Sequence, residues 1–385
     1  MDGKVQAQPK VATAPRGLAR KLLSGMKLVA VNFLVFAVLA EVASIVVVHL
    51  KAWPSSRPTY HLAKPFWRDT DPAFGIWHYS NGTFFHQGAC FSAVYHTNSY
   101  GARDIERSLH SSRPRTVVLG DSFIEGYDSS DAQRLTNLLE RKTGREHLNF
   151  GTSGGFSPLQ YALLYRTLAS GFDHNLVLVG VFPGNDFHEM DGDWLSRNYS
   201  GQYRPYYAQD FSVRYLGHFD PHAGDSMWDR AESVLRAYLA SYHVGQYIYG
   251  MFLYSRTQGS YSGYNDYSDV DLARLKNALV DIRDTAATHH AEVAVVLIPD
   301  PRDFDRMRQK GVNRLGPALE AWGPTVDIRV KDLLPAMRTQ SNGNDKAYFL
   351  PCDVHWSPHG SETVAGIITS WLYPAQNALP ATQGR

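Results

Sequence analysis

Gly120-Asp121-Ser122 and, more than two hundred residues later, Asp353-Val354-His355-Trp356 contain the three residue types that acyl-oxygen chemistry requires. A serine hydroxyl is a weak nucleophile until a neighbouring base takes its proton. His355 is the candidate base. Asp353, two residues earlier, can accept the other imidazole N–H, fixing the tautomer and stabilising the protonated ring. Pro351 and Pro358 favour a shaped loop around this pair over an extended strand. Each half also has a plainer reading: Asp-Ser can cap a following helix, and Asp-x-His can be a surface hydrogen-bonded pair. His359 competes with His355 by position, but it follows Ser357-Pro358 and has no aspartate two residues before it, so a structural role is expected for it.

Two further turn motifs add to this set. Gly151-Thr152-Ser153-Gly154-Gly155 and Pro183-Gly184-Asn185-Asp186 each follow an expected strand. Gly154 can bring a backbone N–H close to a reacting carbonyl, and the Asn185 amide can add a side-chain donor. Two or three such donors form the oxyanion hole that a tetrahedral intermediate needs. Glycine-rich turns with no ligand role are the alternative.

The elements that must hold these residues follow from the apolar pattern. Strands are expected at 115–119, 147–150, 176–182, 292–298 and 326–328, and helices at 132–141, 158–169, 228–240, 270–287 and 361–372. Strands alternating with helices imply a mainly parallel α/β sheet with the functional loops at the C-terminal ends of its strands. Residues 51–110, rich in Trp, Tyr, His, Pro and Gly, read as an irregular extension with about two strands. Residues 187–268 break the rhythm of the 111–385 domain and read as an inserted lid over the sheet, with a tyrosine-lined sugar groove or ordinary loop packing as its two uses.

Residues 28–50 form an apolar run long enough to cross a bilayer, interrupted by Asn32 and Glu41. Lys4, Lys10, Arg16, Arg20, Lys21 and Lys27 precede it, against Lys51, Arg57, Lys64 and Arg68 beyond it, so the expected topology is an uncleaved, single-pass inner-membrane signal anchor. Its basic 1–27 tail is cytoplasmic, disordered over residues 1–20, and its catalytic domain is periplasmic or otherwise extracytoplasmic. Glu41 at hydrocarbon depth calls for neutralisation or a partner. The two cysteines, Cys90 and Cys352, can pair in an oxidising compartment, which would tie the extension to the residue beside Asp353; two free buried thiols are the alternative. With 38 basic and 37 acidic residues in 385, nothing in the overall charge favours nucleic acid or a polyanion, and the sixteen histidines show no close metal-ligand spacing.

The four blocks taken in order resemble the SGNH, or GDSL-type, hydrolase superfamily over residues 114–375. That resemblance implies a flavodoxin-like sheet, Ser122 as nucleophile, His355 as base and Asp353 as its orienting acid. It also implies oxyanion donors at Ser122, Gly154 and Asn185, and no metal or organic cofactor. The family often has Gly-x-Asn-Asp where this chain has Pro183-Gly184-Asn185-Asp186, and Asp-x-x-His where it has Asp353-x-His355. The shorter spacing, followed by Trp356, resembles members linked to polysaccharide acetylation at membranes. From this the expected function is hydrolysis of short acyl esters, acetyl above all, on an envelope carbohydrate. Transfer of the acyl group to a glycan, with a multispanning membrane protein as donor, is the first alternative, and a catalytically inactive glycan-binding or assembly protein is the second.

Overall fold

The computed structural model describes residues 16–67, 69–199, 202–257 and 261–374. Residues 1–15 of the expected tail lie outside these. Helix Arg16–His49 begins well before the apolar run, so residues 16–20 are helical where disorder is expected: Leu, Ala, Lys and Arg are strong helix formers and extend an established helix at little cost. Its segment Ser24–His49 is apolar and long enough to cross a membrane.

Residues 51–110 hold four short strands in two antiparallel hairpins, where about two were expected: β1 Asp69–Asp71 with β2 Gly75–Trp77, and β3 Thr83–Gln87 with β4 Ser92–His96. The central sheet has five parallel strands: β5 Arg115–Gly120, β6 Glu146–Gly151, β7 Leu176–Val181, β10 Glu292–Leu297 and β11 Ile328–Asp332. Between β7 and β10 a further hairpin pairs β8 Arg204–Tyr207 with β9 Val213–Leu216. The spatial order in the sheet is β11-β10-β7-β5-β6. Val117 to Leu119, Val177 to Val179 and Val293 to Leu297 are inaccessible or nearly so, the near-continuous apolar reading of strands covered on both faces. Helices Leu135–Thr143, Pro158–Thr167, Asp269–Thr288 and Pro358–Leu372 flank the sheet.

The chain moves from β5 to β6 on one side and then crosses from β6 to β7 on the other side of β5, so the order reverses at β5. Crevices for ligands open at the carboxyl ends of strands where such a reversal occurs. Ser122 follows β5, Gly154 follows β6 and Asn185 follows β7, so β5 carries the serine and the strands on either side of it carry the expected donors.

Several boundaries differ from expectation. The last strand runs Ile328–Asp332 because residues Gly323–Val326 wind into a one-turn helix and Asp327 takes a left-handed conformation; Val326, read as strand from its β-branched side chain, ends that turn. The last helix starts at Pro358, with Ser357 accepting the Gly360 N–H as its cap, which moves Glu362 from the first turn into the second. The 132–141 segment splits into a turn at Asp131–Gln133 and helix Leu135–Thr143, and 158–169 ends as a helix at Thr167, followed by a turn at Ala169–Gly171. Helix Met227–Tyr238 replaces the expected 228–240, and a helix missed altogether, Ala240–Thr257, follows it.

Candidate active site

The short helix Ser122–Glu125 begins two residues after β5 ends at Gly120, with Asp121 as its cap: Asp121 Oδ1 accepts the Phe123 N–H at 3.0 Å. The capping reading of Asp-Ser therefore holds alongside the chemical one. A row of glycines decides where this helix sits. Gly120 is in register with Gly151 of β6 and Gly180 of β7. A Cβ on Gly120 would come within 2.3 Å of Ile124 Cγ1, one on Gly180 within 2.7 Å of Ile124 Cδ1, and one on Gly151 within 2.3 Å of the Glu125 backbone N. The three glycines form a pit at the end of the sheet, the wholly buried Ile124 fills it, and Ser122 is left at the rim. Truncating Ile124 to alanine would empty the pit at a cost of about 2–5 kcal/mol.

His355 reaches Ser122 from the opposite end of the chain. Its Nε2 lies 2.7 Å from Ser122 Oγ, and its Nδ1 lies 2.6 Å from Asp353 Oδ1. The loop carrying it is a closed turn: Leu350 N–H donates to His355 O at 2.9 Å, Ser357 N–H donates to Tyr348 O at 2.8 Å, and Phe349 bridges Trp356. The buried Trp356 packs on Phe123, and the imidazole lies between the Phe123 and Tyr127 rings, with centroids at 4.8 and 4.7 Å. His359 is exposed, stacked on Tyr348, and has no hydrogen bond to Ser122. Cys90, in the β3–β4 turn, and Cys352, next to Asp353, are joined in a disulfide that fastens this loop to the β3–β4 hairpin.

A second carboxylate, which the sequence reading missed, faces the same imidazole. Asp128 Oδ2 lies 3.6 Å from His355 Nδ1, an ion-pair contact too long for a hydrogen bond, and both Asp128 oxygens are buried without a hydrogen-bond partner. Asp128 is in a left-handed conformation just after the helix-ending Gly126, and its N–H donates to Tyr95 OH at 2.8 Å. Burial pushes the Asp128 carboxyl up to about 7, against the pull of the imidazole. Burial works against charge on the ring too, but the Asp128 and Asp353 carboxylates outweigh it and raise His355 to about 10. Burial likewise pushes Asp353 upward, and its hydrogen bonds with His355 hold it below the usual carboxylate range. The trio also has the atom types and spacing to hold a cation, with ligand atoms within 4.8 Å of one another. The hydrogen bonds that His355 makes to Asp353 and Ser122 already engage both ring nitrogens, which argues against a metal there.

The oxyanion candidates are held by side chains on other elements. Gly154 has φ +92, and a Cβ there would meet Ile76 Cδ1 at 3.2 Å, so the position favours glycine twice over. Arg204 of β8, buried and stacked on the Tyr199 ring, donates to the carbonyls of Gly154 and Gly155, fixing which way the peptide planes of this turn face. Below the turn, Ser153 Oγ–H and Trp67 Nε1–H both donate to the buried Glu125 carboxylate, the latter at 2.9 Å. Burial raises Glu125, but His78, Arg103 and Ser153 hold it below its ordinary range, so it stays an acceptor. Asn185 Nδ2 donates to Glu189 Oε1 at 3.3 Å, while its Oδ1 is buried and unpartnered. Asp121, Asp186 and Glu189 form a buried acidic floor. Burial pushes Asp121 to about 7 and Glu189 to about 8, and burial with the charges of Asp121 and Glu189 drives Asp186 well above its usual value. Tyr161 O–H donates to Asp186 at 2.8 Å. No sequence signal marks Asp128, Glu125 or Arg204 for these roles: each acts through a contact that a turn or a distant strand creates.

A cavity of about 590 Å³ opens beside this centre. Thr59, His61, the stretch Ala63 to Trp67, Phe84 and Phe85 form one wall, and Tyr199, Tyr203, Arg204 and helix Met227–Tyr238 form the other. It touches Gly154 and Trp67, but neither Ser122 nor His355 lines it. It is thus a side chamber reaching the glycine turn, with Ser122 outside it.

No protein-family model matches the sequence, and no curated protein matches it. Among solved structures the chain is similar to a lipase/acylhydrolase from Enterococcus faecalis, at 13% identity over 70% of this chain and 100% of that one, with a TM-score of 0.38. It is also similar to a member of the lipolytic protein G-D-S-L family from Veillonella parvula, at 12% identity over 68% and 98% of the two chains, with a TM-score of 0.36. A third is a salicylyl-acyltransferase from a tetracycline biosynthetic pathway, at 15% identity over 71% and 58%, with a TM-score of 0.29. At such scores these likenesses decide nothing about the reaction, which rests on the geometry of Ser122, His355 and Asp353.

Proposed function

We propose that this chain is a serine-dependent hydrolase of short acyl esters, acetyl above all, carried on an envelope or extracellular carbohydrate. The observation that carries this reading is the relay of 2.7 and 2.6 Å from Ser122 through His355 to Asp353, set at the C-terminal end of β5 in a parallel sheet. In this mechanism His355 Nε2 takes the hydroxyl proton as Ser122 Oγ attacks the ester carbonyl, and the carbonyl oxygen becomes an oxyanion facing the Ser122 N–H, the Gly154 N–H and the Asn185 amide. The intermediate collapses to acyl-serine and expels the sugar alkoxide, which takes the proton from His355. Water, deprotonated by the same nitrogen, then releases the acid and regenerates the serine. No step calls for a metal or an organic cofactor.

The carbohydrate assignment draws on the side chamber, where the Trp67, Tyr199 and Tyr203 rings alternate with Asp220, Glu232 and Arg236, the mixture of flat apolar faces and charged hydrogen-bonding groups that sugars fit. The same chamber supports acyl transfer as a second reading, since an acceptor glycan held there would approach the acyl-serine from the glycine turn and compete with water. A multispanning acyl-donor protein belongs to that second reading. The helix Ser24–His49 and the lysine and arginine bias before it support a single-pass inner-membrane anchor with the site on the extracytoplasmic side. The Cys90–Cys352 disulfide fits such an oxidising compartment. We read 111–385 as the catalytic domain and 187–268 as its lid.

The test is acetate release from acetylated polysaccharide by the full-length chain in detergent micelles, with mass spectrometry of an added glycan. Release that Ser122→Ala abolishes, with the glycan unmodified, supports hydrolysis, and serine-dependent acylation of the glycan supports transfer. A folded wild-type chain that does neither refutes the enzyme reading.

A further inference from the structure

Helix Met227–Tyr238 is amphipathic in the reverse of the usual sense. Asp229, Glu232, Ser233 and Arg236 turn towards the side chamber, while Met227, Val234 and Tyr238, at i, i+7 and i+11, form one exposed stripe. Met227 is 87% exposed and Trp228, beside the stripe, 73%. Ile248, Tyr249 and Met251 are exposed too, on helix Ala240–Thr257. On helix Met227–Tyr238 the stripe with Trp228 makes an exposed apolar face with aromatic side chains among it.

The membrane helix says what covers this patch. Glu41 Oε1 accepts the Ala240 N–H at 2.8 Å and Oε2 accepts the Ser241 N–H at 3.0 Å, so a carboxylate inside the apolar run caps the start of helix Ala240–Thr257. Trp53, just past the run, stacks on Tyr247. Before residue 40 the apolar run is exposed throughout. From Ala40 onward one face, Ala40, Glu41, Ser44, Val47 and Val48, is covered or half-covered. The junction of the two helices therefore lies at the level of Glu41, inside the candidate span.

The depth follows from helix geometry. The 26 residues Ser24–His49 extend about 39 Å, more than the roughly 30 Å of hydrocarbon, so part of the helix stands outside. With Lys27 at the cytoplasmic boundary, about 20 residues fill the hydrocarbon, which ends near residue 46 and leaves Glu41 about 7 Å below the outer surface. Interfacial helices lie at about 5–10 Å. We propose that helix Met227–Tyr238 and the first turns of Ala240–Thr257 lie in the outer leaflet of the bilayer, with Met227, Trp228, Val234 and Tyr238 in lipid, seating this wall of the side chamber on the membrane surface. Trp228 and Tyr238 suit the headgroup boundary, where aromatic rings with a polar edge concentrate. The occupant is lipid because Glu41 and Trp53 join this helix pair to the candidate span, on whose reading as a membrane anchor the inference rests.

The test uses the full-length chain in nanodiscs of phosphatidylethanolamine and phosphatidylglycerol, free of any other protein. Nitroxide labels are placed one at a time through Met227→Cys, Val234→Cys and Tyr238→Cys, with Asp210→Cys and Asn342→Cys as aqueous references; the native cysteines are held in their disulfide. The proposal expects labels at 227, 234 and 238 to collide with oxygen in preference to a water-soluble nickel chelate, at a depth of about 5–10 Å, while the reference labels show the opposite preference. Nickel accessibility at all three sites equal to the references overturns it and leaves the patch for a protein partner. Each labelled chain is scored only with its disulfide intact, and three independent sites keep the outcome readable if one variant misfolds.

Discussion

Asp128 stands 3.6 Å from the nitrogen of His355 that Asp353 already engages, and replacing it with asparagine separates the two carboxylates' roles. A charge at that distance supports the imidazolium, and with both acids in place the ring holds its proton up to about pH 10. His355 must be neutral to take the serine proton, so in the native chain the rate should climb with pH over a long alkaline range. An opposite charge within about 4–6 Å is worth about 1–3 pKa units, so Asp128→Asn should move the rising limb of kcat/KM down by about 1–3 pH units. At pH 7 the fraction of neutral ring, and with it the rate, would then rise by about 10- to 500-fold where ring protonation limits. The three groups titrate together, so the limb belongs to the set and not to His355 alone. The assay is initial acetate release from a short acyl ester by the full chain from pH 5 to pH 10, with Asp353→Asn alongside; that variant should lose activity at every pH because the ring loses its tautomer. A limb that stays in place or moves upward in Asp128→Asn refutes this electrostatic account. Loss at every pH would show that Asp128, not Asp353, orients the ring.

Asn185→Ala should lower kcat by about 10²- to 10³-fold with little change in KM, measured by steady-state kinetics; a pure KM effect would move Asn185 from the oxyanion to substrate binding. Cys90→Ser or Cys352→Ser should cost about 2–5 kcal/mol of stability in chemical denaturation and slow turnover more than it weakens binding, because the bridge holds the turn bearing Asp353 and His355. Unchanged stability would make the bridge incidental. Glu189 titrates near 8 in the folded chain, against 4.5 for the free side chain, so the fold keeps a proton that the unfolded chain loses between those values. Its stabilising contribution is complete below about pH 4.5 and is lost as pH rises through about 8, at up to about 1.4 kcal/mol per pH unit. Glu189→Gln should therefore show a smaller fall in Tm between pH 5 and pH 8 than the native chain, and parallel curves would contradict the burial argument.

The relay was legible because its chemistry needs particular side chains: a serine after a strand, and a histidine with an aspartate beside it, narrow the choice to a few positions. The five parallel strands were legible because strands buried on both faces must be apolar along their length. The supporting groups were not. Asp128 faces His355 only because Gly126 and a left-handed Asp128 turn the chain back, and Arg204 reaches the Gly154 turn from a hairpin inside the insertion. The row Gly120, Gly151 and Gly180 becomes a pit only when parallel register brings three separate strand ends together. Helix Ala240–Thr257 escaped notice because Gly245, Gly250 and scattered tyrosines hide its period, and its start depends on a cap contributed by Glu41, far away in sequence. Glu41 itself read as a defect in the apolar run; its partners are two backbone amides.

The most direct test of the central claim is to trap the covalent intermediate. The full-length chain is mixed with an excess of an activated acetyl ester, quenched in acid within the first turnover, and digested for peptide mass spectrometry. The account predicts one added acetyl group on the peptide containing Ser122, absent from Ser122→Ala and retained longer when His355→Ala is supplied with a reactive ester. Acetate release by the native chain with Ser122 unmodified at every time, or release that persists in Ser122→Ala, would contradict it.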